Sequence, residues 1–280
     1  MDNSRRFLAP NGPVLSLLGL GLAAGVAWTF SDTQVRRQLL NTFELCSCVT
    51  AISLPVGVLL ALLLSRTNVR GRTIAWLLLL TLLFLPLYST TAGWMAVFGK
   101  LRSQSPAFFQ TAQPLVEGMP AVIWIHAMAA IPWVTIIVSI GLALIPQEIE
   151  EAALLDVSPQ RFLLGFGLRY YLPFILAAGL FTTISTAGEM TVTNLFLVPT
   201  YTEELYNSFM LSRDAYAAGL QNLPGIAGTV LMATAVSGMI VSLLPAGFGQ
   251  RFQWPRTYAL KQWRLPLTLT TWLLLTVLMG

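Results

Sequence analysis

The sequence has 280 residues, of which 55% are hydrophobic and 10% are charged, and its formal net charge is +4 at pH 7. A soluble domain usually carries about 25% charged residues, so this composition excludes an ordinary soluble protein. The basic residues lie mainly in connectors between long apolar runs, where they would orient a chain in a membrane. The positive charge therefore gives no indication of nucleic-acid binding.

Six apolar runs followed by the start of a seventh predict an all-α fold, a polytopic transmembrane helix bundle. The runs cover residues 13–30, 40–64, 73–98, 119–144, 173–198, 225–244 and 265–280. The first is long for a signal peptide and has no convincing cleavage site, so we expect it to be retained. Pro55, Pro86 and Pro132 lie inside runs and are expected to kink the helices.

The distribution of Lys and Arg predicts a cytoplasmic N-terminus in a cell inner membrane. With that orientation, eleven of the 16 basic residues lie on the cytoplasmic side and five on the outer side, as the enrichment of basic residues in cytoplasmic loops requires. The chain then divides into a first span with its outer connector (1–39), a core (40–246) and a basic tail with a further apolar run (247–280). This last run is either a short terminal span or, as we prefer, the start of a second half.

The connector at 146–172, between the fourth and fifth runs, is the most informative segment. Pro146 can begin a helix, and Glu148, Glu150 and Glu151 then lie in or near the first turn, where negative charge suits the helix dipole. The residues that follow are Ala152 and Ala153, then Asp156 and Val157, then Ser158 and Pro159. The alanines give a narrow surface for a partner protein, and the Ser-Pro pair predicts a second short helix. An amphipathic linker at the membrane interface is the alternative.

This connector resembles the EAA loop of binding-protein-dependent ABC transporter permeases. The residues that carry the resemblance are Glu151-Ala152-Ala153, Asp156, Ser158-Pro159 and Leu172-Pro173. The resemblance implies a coupling helix that docks on a cytoplasmic ATPase, with Glu151, Ala152 and Ala153 facing the ATPase. Two features depart from the family pattern: Val157 stands where a glycine is expected, and the Leu-Pro pair comes three residues late. Valine resists the positive φ that glycine permits, so the turn is expected to differ.

Two other stretches resemble the iron(III)-type permeases. One runs from Asn41-Thr42 to residues 67–72 (TNVRGR), and the other is Gly188-Glu189-Met190. The implied partners are cytoplasmic ABC ATPase subunits, an extracytoplasmic solute-binding protein and a second permease half or subunit, all meeting at the lipid bilayer. The implied solute is ferric iron, and sulfate, thiosulfate, molybdate and polyamines are alternatives. We expect no cofactor for this chain, and no bound metal because two cysteines and a single histidine are too few for a metal site.

Ionisable residues inside the spans are candidates for a solute path, because such residues usually face a cavity or a partner. Glu189 is expected to share a helix face with Thr182, Ser185, Thr186 and Thr193. Glu44, near the start of the second run and its expected outer end, is a further candidate. The alternative for Glu189 is hydrogen bonding between helices, and the alternative for Glu44 is an interfacial or packing role. The single histidine, His126, is expected to be a buried, hydrogen-bonded structural residue.

Two other classes of function remain open. An integral-membrane enzyme would need paired acids, a nucleophile with its base, or a metal cluster, and the scattered acids argue against it. The chain also lacks a GxxxxGK[ST] loop, so ATP hydrolysis is expected in a separate subunit. A self-contained secondary transporter would explain Glu44 and Glu189 as ion sites, but it leaves the EAA-like loop unexplained.

Overall fold

The computed structural model describes residues 33–104, 117–165, 167–211, 234, 257–258 and 264–279, and these residues form helices and no named strand. The helices are α1 (Thr33–Arg66), α2 (Arg72–Phe84), α3 (Leu87–Gln104), α4 (Gly118–Ala143), α5 (Gln147–Asp156), α6 (Pro159–Leu164), α7 (Leu168–Ala187), α8 (Thr191–Leu195), α9 (Tyr201–Leu211) and α10 (Arg264–Met279). The all-helical prediction is confirmed for this part of the chain.

Three of the described helices, α1, α4 and α7, are long and apolar enough to cross a membrane. With 34, 26 and 20 residues, they extend for about 51, 39 and 30 Å at 1.5 Å per residue. Each therefore matches or exceeds a hydrocarbon layer about 30 Å thick. The runs predicted at 13–30 and 225–244 lie outside the described residues.

The third predicted run forms two helices instead of one. Helices α2 and α3 meet at a bend of 105°, which makes them either a broken span or a re-entrant loop. Pro86 lies at the break, where it lacks the N–H that a continuous helix would use. The kink predicted at Pro86 is thus a full break, whereas Pro55 and Pro132 lie inside the continuous helices α1 and α4.

The fifth predicted run differs at both ends from the structure. Helix α7 begins at Leu168, five residues before the predicted start, and ends at Ala187. The chain then turns at Gly188 and Glu189 before the five-residue helix α8. Glu189 and Thr193 are therefore not on the same continuous helix as Thr182, and the single polar stripe predicted for this run is wrong beyond Ala187.

Close packing of α1, α4 and α7 forms the centre of the bundle. At Gly57 of α1, an added Cβ would lie 2.5 Å from the Val134 side chain of α4. At Gly141 of α4, it would lie 2.5 Å from the Phe174 side chain of α7. Small residues at such crossings let helix backbones approach closely, as is common in membrane bundles. These contacts set the positions of the polar groups described below.

Helix α10 packs against the same bundle. It contacts α2 and α1, and its Leu275 and Leu278 belong to the buried core. Its 16 residues extend for about 24 Å, which is shorter than the hydrocarbon layer. The seventh predicted run therefore forms a helix, and its assignment as a terminal span or as the start of a second half stays a prediction.

Candidate functional site

One end of the bundle gathers the connectors that are rich in arginine. Arg66 ends α1, Arg70 and Arg72 surround the start of α2, Arg161 lies in α6 and Arg264 begins α10. We call this end of the bundle the basic end. Helices α5 and α6 lie there, at the positions predicted for the two short helices of the connector.

The connector is attached to the spans by a buried ion pair between Arg66 and Glu150. Each side chain is only 1% exposed. Arg66 Nη1 donates to both Glu150 carboxylate oxygens, at 3.0 and 2.8 Å, and Nη2 donates to the Leu142 carbonyl of α4 at 2.6 Å. The pair thus joins α5 to the ends of α1 and α4. Arg66 Nε has no hydrogen-bond partner among the described residues.

A second set of contacts comes from residues far along the chain. The Tyr258 hydroxyl donates to Glu150 Oε1, and the Tyr258 backbone N–H donates to the Arg66 carbonyl at 2.7 Å. Farther on, Trp272 Nε1 donates to the Arg70 carbonyl at 3.1 Å. Its ring lies 2.5 Å from where a Cβ on Gly71 would be, and Gly71 has φ 79°. Glycine is required there both for the backbone angle and for the space.

One face of α5 is exposed while the opposite face is held by the spans. The exposed residues recur at helical spacing and form what we call the α5 outer face: Glu148, Glu151, Ala152, Leu155 and Asp156. Leu155 is 88% exposed. Ala153, predicted to face a partner together with Ala152, lies half-buried against the core that contains Phe162 and Tyr171.

The turn between α5 and α6 explains how valine replaces the expected glycine. Helix α5 ends at Asp156, and Val157 adopts φ −128° and ψ 154°, an extended conformation that suits a β-branched residue. No positive φ is needed here. Ser158 and Pro159 begin α6 as predicted, although the Ser158 side chain makes no capping hydrogen bond. Farther on, the Tyr171 hydroxyl donates to the Leu163 carbonyl at 2.8 Å and ties α6 to α7.

A second feature is a polar cavity of about 140 Å³ inside the bundle. Its polar lining residues are Thr90, His126, Thr182, Ser185, Thr186 and Glu189. Its apolar lining includes Trp133 and Phe181, whose ring centroids lie 5.0 Å apart. Of the candidate solute-path residues, the structure places Ser185, Thr186 and Glu189 on this cavity. Thr193 is buried in α8, and Glu44 is exposed on α1; neither is among the lining residues.

The Glu189 carboxylate, which lines the cavity, accepts hydrogen bonds from the first backbone amides of α8. Its Oε1 accepts a hydrogen bond from the Thr191 N–H at 2.6 Å, and its Oε2 accepts one from the Val192 N–H at 3.1 Å. These bonds satisfy the otherwise free amides at the start of α8. Its Oε2 also lies 3.5 Å from His126 Nε2.

His126 and Thr182 carry buried polar atoms that lack partners. His126 is 5% exposed and Thr182 is 1% exposed. Neither His126 Nε2 nor Thr182 Oγ1 has a hydrogen-bond partner among the described residues. The prediction of a buried histidine is confirmed, but its Nε2 makes no hydrogen bond to the part of the chain that the structure describes. Buried polar atoms are rarely left unpaired, so these two atoms mark a place where a further molecule could bind.

Sequence reasoning missed the two residues that attach the connector. Glu150 was assigned to the first turn of a helix, Arg66 was counted for orientation and as the end of the second run, and no contact between the two was predicted. The available signal was their position, since both charges flank spans at the same predicted end. Comparison with protein-family models finds no match, and comparison with curated proteins likewise finds none.

Proposed function

We propose that this chain is the membrane-spanning permease subunit of an ATP-driven, binding-protein-dependent ABC importer. The observation that carries the proposal is the two-sided environment of α5. Its inner side is fixed to α1 and α4 through Glu150 and Arg66, while the α5 outer face is exposed. A helix that passes a partner's motion to membrane spans needs both properties.

The buried ion pair gives this helix a direct mechanical path into the bundle. In a site of low dielectric constant, separating the Glu150 carboxylate from the Arg66 guanidinium is costly, so the two groups move together. Arg66 is the last residue of α1 and also binds the Leu142 carbonyl of α4. A displacement of α5 would therefore move the ends of two spans at once.

The basic end is proposed to face the cytoplasm, with ATP hydrolysis in a separate subunit that docks on the α5 outer face. The supporting observation is the arginine content of this end, because cytoplasmic connectors of inner-membrane proteins are enriched in Lys and Arg. A solute-binding protein would dock at the opposite end, and a second permease half or subunit would complete the path. Ferric iron stays a prediction from resemblance.

The decisive experiment is co-purification of the chain with candidate cytoplasmic ABC ATPase subunits, followed by a transport assay in vesicles. Ala152→Trp and Glu151→Arg change the α5 outer face without touching Glu150, and each is expected to reduce ATPase association about tenfold or more. Glu117→Arg, the same charge reversal at the opposite end of α4, is the matched control and should leave association unchanged. Unaltered association and transport in both α5 variants would contradict the proposal.

A self-contained secondary transporter is the second candidate. The observation in its favour is the Glu189 carboxylate beside His126 in a cavity within the bundle. Such pairs can serve as ion or proton sites in transporters. Reconstituting the chain alone in liposomes separates the two candidates. Uptake driven by an ion gradient without ATP or an ATPase subunit would favour the secondary transporter.

A further inference from the structure

The polar cavity combines unsatisfied hydrogen-bond acceptors with a single acidic group. Among the lining residues that the structure describes, Glu189 carries the only formal negative charge, and none is a Lys or an Arg. A small anion would meet the Glu189 carboxylate without a compensating cation. The balance of charge in the cavity therefore favours a cationic molecule over sulfate, thiosulfate or molybdate.

The three polar atoms of the cavity that can accept hydrogen bonds indicate which kind of cation fits. His126 Nε2 and Glu189 Oε2 lie 3.5 Å apart without a hydrogen bond between them, and Thr182 Oγ1 is unpartnered on the same lining. In the neutral form of His126 with its proton on Nδ1, all three atoms accept hydrogen bonds. A primary ammonium group has three N–H donors, as the Lys side chain does, which equals the number of these acceptor atoms.

The aromatic residues that line the cavity suit the carbon chain of an ammonium compound. Trp133 and Phe181 present two neighbouring aromatic rings, and aromatic faces attract organic cations. The cavity of about 140 Å³ is close to the ~150 Å³ at which an apolar cavity in a protein accepts benzene. A bare metal ion would find one imidazole and one carboxylate among the described lining residues, fewer than the four or more ligands that metal sites usually supply.

From these observations we infer that the cavity is a binding site for a small primary ammonium compound of up to about six non-hydrogen atoms. This inference names the class of solute for the proposed transporter, and it rests on that function only in calling the bound molecule a solute. Glu189 Oε2, His126 Nε2 and Thr182 Oγ1 accept the three ammonium protons. Trp133 and Phe181 cover the carbon chain.

The test is equilibrium dialysis of the full-length chain in lipid nanodiscs against radiolabelled ethylammonium, with labelled sulfate and ferric citrate in parallel. We expect saturable ethylammonium binding of one molecule per chain, and no saturable sulfate binding. Glu189→Gln removes the negative charge and should weaken ethylammonium binding about tenfold or more, while Thr182→Val should weaken it severalfold. Glu117→Gln is the matched control outside the cavity and should bind like the original chain.

Several results would overturn the inference. Saturable sulfate binding would do so, and so would displacement of ethylammonium from the Glu189 site by ferric iron. Ethylammonium binding in Glu189→Gln and Thr182→Val that equals binding by the original chain would also contradict it. If no probe binds saturably, the cavity holds only water. Thr182→Val keeps the test valid if Glu189→Gln loses its α8 hydrogen bonds and fails to fold. The dialysis needs no ATPase, so its outcome is independent of docking on the α5 outer face.

Discussion

Two pairs of side chains in the bundle place a carboxylate beside a nitrogen-containing group, but their surroundings differ. These pairs are Arg66–Glu150 and His126–Glu189. At the basic end, both side chains are 1% exposed and two direct hydrogen bonds join them. In the cavity, the two atoms lie 3.5 Å apart, and His126 Nε2 has no hydrogen-bond partner among the described residues. The Glu189 carboxylate instead accepts hydrogen bonds from the backbone amides at the start of α8.

We interpret this difference as the one between a fixed connection and the proposed binding site. A buried ion pair with close hydrogen bonds holds two segments together, and losing one partner leaves an uncompensated charge. A buried polar atom without a partner carries a cost that a ligand can remove on binding. The first arrangement suits α5 as a transmitting element, and the second suits the cavity as a binding site.

The largest effect is expected from breaking the pair at the basic end. Arg66→Met leaves the buried Glu150 carboxylate without a counter-charge, so it should lower the free energy of unfolding by about 3–5 kcal/mol. Arg66→Met combined with Glu150→Leu removes both charges and should recover most of this loss. Unfolding in mixed micelles with increasing denaturing detergent measures both values.

Arg161→Met is the control for this comparison. Arg161 is exposed at the same end of the bundle, so its replacement should change the free energy of unfolding by no more than about 0.5 kcal/mol. If Arg66→Met lowered the free energy of unfolding no more than Arg161→Met does, the Arg66–Glu150 pair would not be what holds α5 against the spans.

A smaller effect is expected from the residue that approaches the same carboxylate from far along the chain. Tyr258→Phe removes the hydroxyl that donates to Glu150 Oε1 and keeps the ring. Because hydrogen bonds to charged groups contribute about 1.5–3 kcal/mol and Tyr258 is only half-buried, we expect a loss of about 1.5 kcal/mol. The same micelle unfolding measures it. Tyr206→Phe, at an exposed position on α9, should have no measurable effect, and equal losses in both variants would contradict the contact.

The sequence was sufficient for the features that depend on local chemistry. Apolar length predicted both ends of α4 and the C-terminal end of α1 to within a few residues, and Ser158-Pro159 predicted the start of α6. The break at Pro86 follows from the missing N–H, although its size does not, since continuous helices accommodate Pro55 and Pro132. Tertiary packing determines which proline breaks a helix.

The pairings across the bundle could not be read from the sequence. Arg66 and Glu150 are 84 residues apart, and His126 and Glu189 come from different helices. The end of α7 at Ala187 was also missed, because Thr182, Ser185, Thr186 and Glu189 have helical spacing whether or not the helix continues. Periodicity identifies residues that would share a face, but it does not show where a helix gives way to a turn.

The smallest effect is expected in the cavity, where Thr182→Val tests whether the hydroxyl is unpaired in the resting protein. Thr182 Oγ1 is buried without a partner among the described residues, so replacing it with a methyl group of similar shape should be neutral or should stabilise by up to about 1 kcal/mol. Thr135→Val is the matched control, because Thr135 is fully buried and its Oγ1 donates to the Ile131 carbonyl at 2.8 Å. That variant should lose about 1 kcal/mol. Unfolding of both variants in the same micelles, with and without ethylammonium, gives the comparison. A loss in Thr182→Val as large as in Thr135→Val without ethylammonium would mean that the hydroxyl is already paired, and the contrast between the two pairs would then disappear.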